Sequence, residues 1–259
     1  MNDEGEERRE AVRWVSWTAG LFVLVLFFAL VDLSVPLFFQ SRPEFYEGYL
    51  LETGWGVLFT FFVGIPLCVL GCRPGSASAA LLPVAAVTAV LAAAMASARP
   101  GHLLIVAGLL VPSAVKFLPD GSIELKALLK VGRLHRPTLV ISVVALPAAV
   151  LFAAEMATTA REGRAPVDFT WDFDHWPIQA AAALVIPLAA AVLSFRLPGW
   201  RPMVFIVAAG AAWFGTVSIV YPDHAGSLGT VTGWTSIIWA AVLAASAFHK
   251  WAQPRSIRP

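Results

Sequence analysis

Charge is scarce in this sequence. Only 14% of its 259 residues are Asp, Glu, Lys or Arg, against 58% hydrophobic residues, whereas a soluble domain carries about a quarter charged residues. So little charge cannot cover the apolar surface of such a chain, and an ordinary water-soluble core is excluded. Cysteine is nearly absent too. Cys68 and Cys72 are the two in the chain, which excludes a disulfide framework. A net charge of +1 lacks the basic field that a nucleic-acid partner requires. No phosphate-cradling glycine loop, nucleophile elbow, HExxH pair or lipidation box is present.

Long apolar runs are what the chain has instead. A helix crossing about 30 Å of hydrocarbon needs about 20 apolar residues. Runs of that kind occupy 15–39, 53–72, 77–97, 101–118, 138–158, 176–195, 201–220 and 230–249. They are too long for barrel strands and do not alternate apolar with polar, so helix is the state that satisfies their backbone in lipid. The first run exceeds a signal-peptide core and no A-x-A pattern follows it, so it reads as a retained helix. The expected fold is an all-α integral membrane protein with eight transmembrane helices. The expected location is a bacterial cytoplasmic membrane.

Orientation follows from lysine and arginine. With the N-terminus inside, Arg42, Arg99, Arg161 and Arg164 fall outside and the other 14 of the 18 basic residues fall inside. Both termini are therefore expected in the cytoplasm, as polar tails at 1–14 and 251–259. Tryptophan agrees: Trp14, Trp17, Trp200 and Trp251 sit at inner ends, and Trp55, Trp171, Trp176 and Trp234 at outer ends, the depth an indole prefers.

One interior segment is charged. In 119–136, Lys126, Lys130 and Arg133 recur at helical spacing opposite Leu125, Leu128 and Val131. That pattern predicts a basic amphipathic linker helix on the inner leaflet, binding anionic lipid headgroups. It divides a first four-helix half, 15–118, from a second, 137–250. The halves match at a near-constant offset: Asp32 with Glu155, Glu52 with Asp174, Pro66 with Pro187, Arg73 with Arg196, Pro100 with Pro222 and His102 with His224. Each half starts inside, so the expected repeat is parallel, with its axis along the membrane normal.

Acids inside the runs are confined to Asp32 and Glu155, both toward the outer side. Hydrocarbon penalises an exposed carboxylate, so both are expected either to snorkel separately to the outer headgroups or, if the halves are true repeats, to face the interface between them. Outer connections add His102, His175, His224, Asp174 and Asp223. These seven form the candidate polar site. If a metal is held, His102, His175 and His224 are its expected ligands, since a catalytic zinc takes three protein ligands. Asp174 and Asp223 have a second reading as helix caps. No motif calls for a cofactor, and metal or haem stays open. Mid-run prolines such as Pro66 and Pro187 free backbone carbonyls and kink helices. Small-residue pairs such as Ser16 with Gly20 and Ala211 with Gly215 allow helices to approach closely.

The string Asp174-His175-Trp176 with Gln179, and Ser218-Ile219-Val220-Tyr221-Pro222-Asp223 with Gly226, resemble multi-pass membrane proteins of actinobacterial type. That resemblance implies a many-span fold and brings no activity with it. The four-plus-four plan also resembles haem A synthases, which carry haem-ligand histidines on even-numbered helices. Here His102, His175 and His224 start the fourth, sixth and eighth runs, but the second run has no histidine. The family's Glu-x-x-His is missing as well, because Glu52 is followed by Thr53-Gly54-Trp55. The functional expectation is a non-enzymatic membrane binding protein or complex subunit, with the bilayer, anionic inner-leaflet lipid and other membrane subunits as partners. A carrier of a neutral or lipid-like solute and an enzyme with an outer-face metal or haem site are the alternatives.

Overall fold

The computed structural model describes residues 3–38, 49–114, 134–164 and 174–248. Among these residues 85% are helical and none is in a strand. The helices are α1 (Asp3–Leu21), α2 (Ala29–Phe38), α3 (Tyr49–Phe59), α4 (Ile65–Cys72), α5 (Ala77–Ser97), α6 (Leu103–Ala114), α7 (Arg136–Glu162), α8 (Trp176–Leu193), α9 (Trp200–Val220) and α10 (Gly229–Ser246). Seven helical segments of the described residues are long and apolar enough to cross a membrane: Glu10–Phe38, Leu50–Cys72 and each of α5, α7, α8, α9 and α10. The fourth expected run is described only through the 12 residues of α6. Its far end lies outside the described residues, as does the linker with Lys126, Lys130 and Arg133.

Two crossings are irregular. In the second, a π-turn over Thr60–Gly64 joins α3 to α4, with Ile65 N–H donating to the Thr60 carbonyl. Pro66 follows this turn directly; it has no N–H to donate and its ring crowds the carbonyl four residues back. In the first crossing, a π-turn over Phe22–Leu26 ends at Phe28, whose φ of 59° is left-handed. No proline or glycine marks this break in sequence, where 15–39 reads as one helix. Tertiary contact holds it: the Trp55 indole donates to the Phe27 carbonyl at 3.2 Å, and the Phe27 ring packs edge-on against Phe59 at 5.0 Å.

Burial sorts the helices into two groups. The apolar stretches of α3/α4, α5, α8 and α9 are 56–78% buried, whereas those of α1/α2, α7 and α10 reach only 17–22%. The centre is therefore α3/α4, α5, α8 and α9, and the others flank it. Alanine from α5 and α8 packs there with Phe59, Phe62 and Phe214. Close approach at the flanks uses glycine. A Cβ on Gly56 would lie 2.5 Å from Leu33 Cα and 2.8 Å from the Asp32 carbonyl carbon, so α2 lies directly against the α3 backbone. Gly215 and Gly233 do the same for α9 and α10, each facing the other's carbonyl oxygen.

The ends of the bundle are defined by contacts. At one, Ser78 N–H donates to Pro198 O at 3.1 Å and His135 N–H to Ser194 O at 2.7 Å. Thr138 there meets Ser246 at 3.0 Å. At the other, the Tyr221 hydroxyl donates to Pro36 O at 2.8 Å, and the α5–α6 turn, the end of α7 and the α9–α10 turn gather around the start of α8.

Candidate functional site

Asp174 organises that second end. One carboxylate oxygen accepts the Trp176 N–H at 3.1 Å, capping α8. The other pairs with Arg99 Nε at 3.0 Å. Its backbone carbonyl accepts from His102 Nε2 at 2.7 Å, which places the proton of the neutral imidazole on Nε2. Arg99 also donates to Ala160 O at 2.6 Å, near the C-terminus of α7, where a cation is favoured by the helix dipole. One aspartate and one arginine thus join the α5–α6 turn, the end of α7 and the start of α8. Because the Arg99 side chain is 42% exposed, its ion pair is worth at most about 1 kcal/mol, and the part-buried hydrogen bonds add to it at the junction.

One residue on, His175 is buried with its ring edge-on to Trp55 at 5.3 Å and its Nε2 3.8 Å from Glu52. That distance exceeds a hydrogen bond, and the attraction operates when the histidine is protonated. Its carbonyl accepts from Gln179 N–H at 2.9 Å. Gln179 is fully buried and its Nε2 donates to Gly226 O at 2.6 Å. The Gln179 Oε1 is buried, has no hydrogen-bond partner among the described residues and lies over Gly54, where a Cβ would collide with it. The amide therefore joins α8 to the α9–α10 turn across the top of α3. Gly226 adopts a left-handed φ of 76° in that turn, and a side chain there would strike Leu51.

The seven candidate residues separate in space. His102, Asp174 and His175 belong to one cluster with Arg99, Glu52 and Gln179. His224 sits beside it in the α9–α10 turn, its ring 4.9 Å from Tyr221. Asp223 is exposed to solvent, and Glu155 lies on the exposed face of α7. Asp32 is half-buried at the start of α2. Its position against α3 and the exposure of Glu155 set the two acids in unlike surroundings. Among the described residues no group of three or more His, Cys, Asp or Glu could hold a metal ion. Gln179 was the residue to find: it is the one amide in an apolar run, a helical turn after His175, and a buried amide needs partners.

Burial pushes the His102 imidazole below its ordinary value of 6.5; hydrogen bonding to the Asp174 and Arg99 backbone and the Asp174 charge oppose this without overcoming it. Below that ordinary value the unfolded chain takes up a proton that the folded chain refuses, so stability falls as pH falls. Unfolding in detergent is expected to show this loss between neutral pH and pH values below 6.5. His102→Gln keeps a donor toward Asp174 and is expected to flatten the profile relative to wild type.

Compared with protein-family models, curated proteins and solved structures, the chain matches none.

Proposed function

We propose that this is a membrane-embedded binding protein or complex subunit of two four-helix halves, presenting the Asp174 cluster at its outer face. The observation that carries the reading is the filled centre. Phe59, Phe62, Leu67, Leu82, Ile178, Leu193 and Phe214, from all four central helices, are each less than 2% exposed. A carrier with a standing central cavity would leave water-accessible surface on such residues.

Eight crossings are our reading of the bundle, and the points at which the chain is held support it. His102 is bonded beside the start of α8, and His135 beside its end at Ser194. The 18 residues of α8 separate those points by about 27 Å, a span that favours one more crossing that starts with α6. The repeat is supported by the order of burial, flank–centre–centre in each half, and by α7 pairing with α8 as α1/α2 pairs with α3/α4. The excess of lysine and arginine at one end supports a reading with both termini in the cytoplasm of a bacterial cell. The linker basic residues Lys126, Lys130 and Arg133 then meet anionic inner-leaflet lipid, and exposed Val140, Val144 and Leu151 on α7 face lipid or a neighbouring subunit.

The test is reactivity at the centre. In a Cys68→Ser/Cys72→Ser background, single cysteines at Ile178, Val207 and Phe214 are expected to resist a small permeant thiol reagent until the protein is denatured. Prompt reaction at these positions in the native protein would favour the carrier instead.

A further inference from the structure

We infer that the bundle end opposite the Asp174 cluster carries a site for the phosphate headgroup of an anionic membrane lipid, built by Arg196, Arg201 and Trp200. The inference rests on the membrane-spanning reading and is independent of which side that end faces.

Two guanidinium groups share one indole. Arg196 Cζ lies 5.4 Å and Arg201 Cζ 5.6 Å from the Trp200 ring centroid, within the range of cation–π attraction. Both arginines are exposed and Trp200 is half-buried. Among the described residues neither arginine has a carboxylate within ion-pair distance. In the sequence around them, no Asp or Glu occurs from 175 to 222 or beyond 223. Two guanidinium groups on one indole, with no carboxylate partner among the described residues, attract an anion.

Arg196 has a left-handed φ of 53° just past the end of α8, a place where glycine closes a helix without strain. The turn carries the guanidinium despite that strain. The platform beneath is held in place. The His135 ring lies 5.4 Å from Trp200, and His135 is fixed by its bond to Ser194 and by Thr138 Oγ1 at 2.7 Å from Nδ1.

An apolar wall runs from the charges toward the membrane interior. Phe205 stands one helical turn beyond Arg201, on the same face, and its ring meets that of Phe248 at 5.4 Å. Both are exposed, Phe248 to 73%. Charge at the rim with exposed aromatic surface below it matches a phospholipid, head above and acyl chain alongside. A free phosphate has no use for the wall, so the occupant is a lipid.

The test uses the full chain in neutral detergent and follows its thermal midpoint as phosphatidylglycerol, phosphatidylcholine or glycerol 3-phosphate is added. Phosphatidylglycerol alone is expected to raise the midpoint saturably. Arg196→Asn and Arg201→Gln are each expected to weaken that response about fivefold, as for one basic residue near an anionic lipid. Asparagine tolerates the left-handed turn, so the lipid-free midpoint of Arg196→Asn is expected to match or exceed wild type, which separates lost binding from lost folding. Lys126→Gln/Lys130→Gln/Arg133→Gln is expected to keep a saturable response. Unchanged phosphatidylglycerol affinity in the double arginine variant overturns the site. Equal responses to glycerol 3-phosphate or to phosphatidylcholine overturn the lipid assignment, pointing to a soluble anion or to unspecific lipid contact. Failure of the membrane reading would show separately, as a wild-type protein that stays soluble and monodisperse without detergent.

Discussion

Gly56→Val is expected to destabilise the protein by about 3 kcal/mol or more, because the added carbons have only backbone to displace. A Cβ at this position already lies 2.5 Å from Leu33 Cα, and valine adds two methyl groups beyond it. Helix α2 must move away from α3, which strips packing from Ala29, buried at 0% exposure, and pulls the Phe27 carbonyl from its Trp55 donor. Gly101→Ala is the control: nothing lies within 4 Å of a Cβ there, and such a change is expected to stay within about 0.5 kcal/mol. Denaturant titration in detergent, read by tryptophan emission, measures both.

The second large effect is expected at the crossing of α9 and α10. A Cβ on Gly215 would lie 2.6 Å from Gly233 O, and one on Gly233 2.8 Å from Gly215 O. Either alanine substitution pushes the same two helices apart and is expected to cost about 2 kcal/mol. Because one separation accommodates both, the double variant is expected to cost clearly less than the two single effects combined. Strict additivity in a double-mutant cycle would mean that the two glycines do not share a contact.

Much of the helix plan was legible because apolar length against bilayer thickness is a strong constraint. The seven membrane-length segments fall close to seven of the expected runs, and Pro66 marked the irregular stretch of the second. Which face of each helix is buried was not legible. In α5 and α8, alanine and valine surround the helix, and lipid is as apolar as a neighbouring helix, so no amphipathic stripe separates core from lipid. The break at Phe27–Phe28 was hidden for a related reason: Trp55 and Phe59, far along the chain, stabilise it. In the site, His102, Asp174 and His175 were recognisable as scarce polar groups at helix starts. Glu155 resembled Asp32 in sequence position, yet its side chain lies on the outward face of α7, a matter of helix rotation that the offset between halves does not encode. Gln179 needed the partner Gly226, brought to it only by folding.

Eight crossings with both termini on one side is the central claim, and single-cysteine labelling of intact cells tests it most directly. The variants are made in the Cys68→Ser/Cys72→Ser background and treated with an impermeant maleimide. Gly101→Cys and Asp223→Cys are expected to react from outside. Gly75→Cys, Lys130→Cys and Lys250→Cys are expected to react only after the membrane is opened. Labelling of Lys130→Cys together with Gly101→Cys from outside would contradict the account, because the chain between His102 and His135 would then fail to cross where eight spans require it.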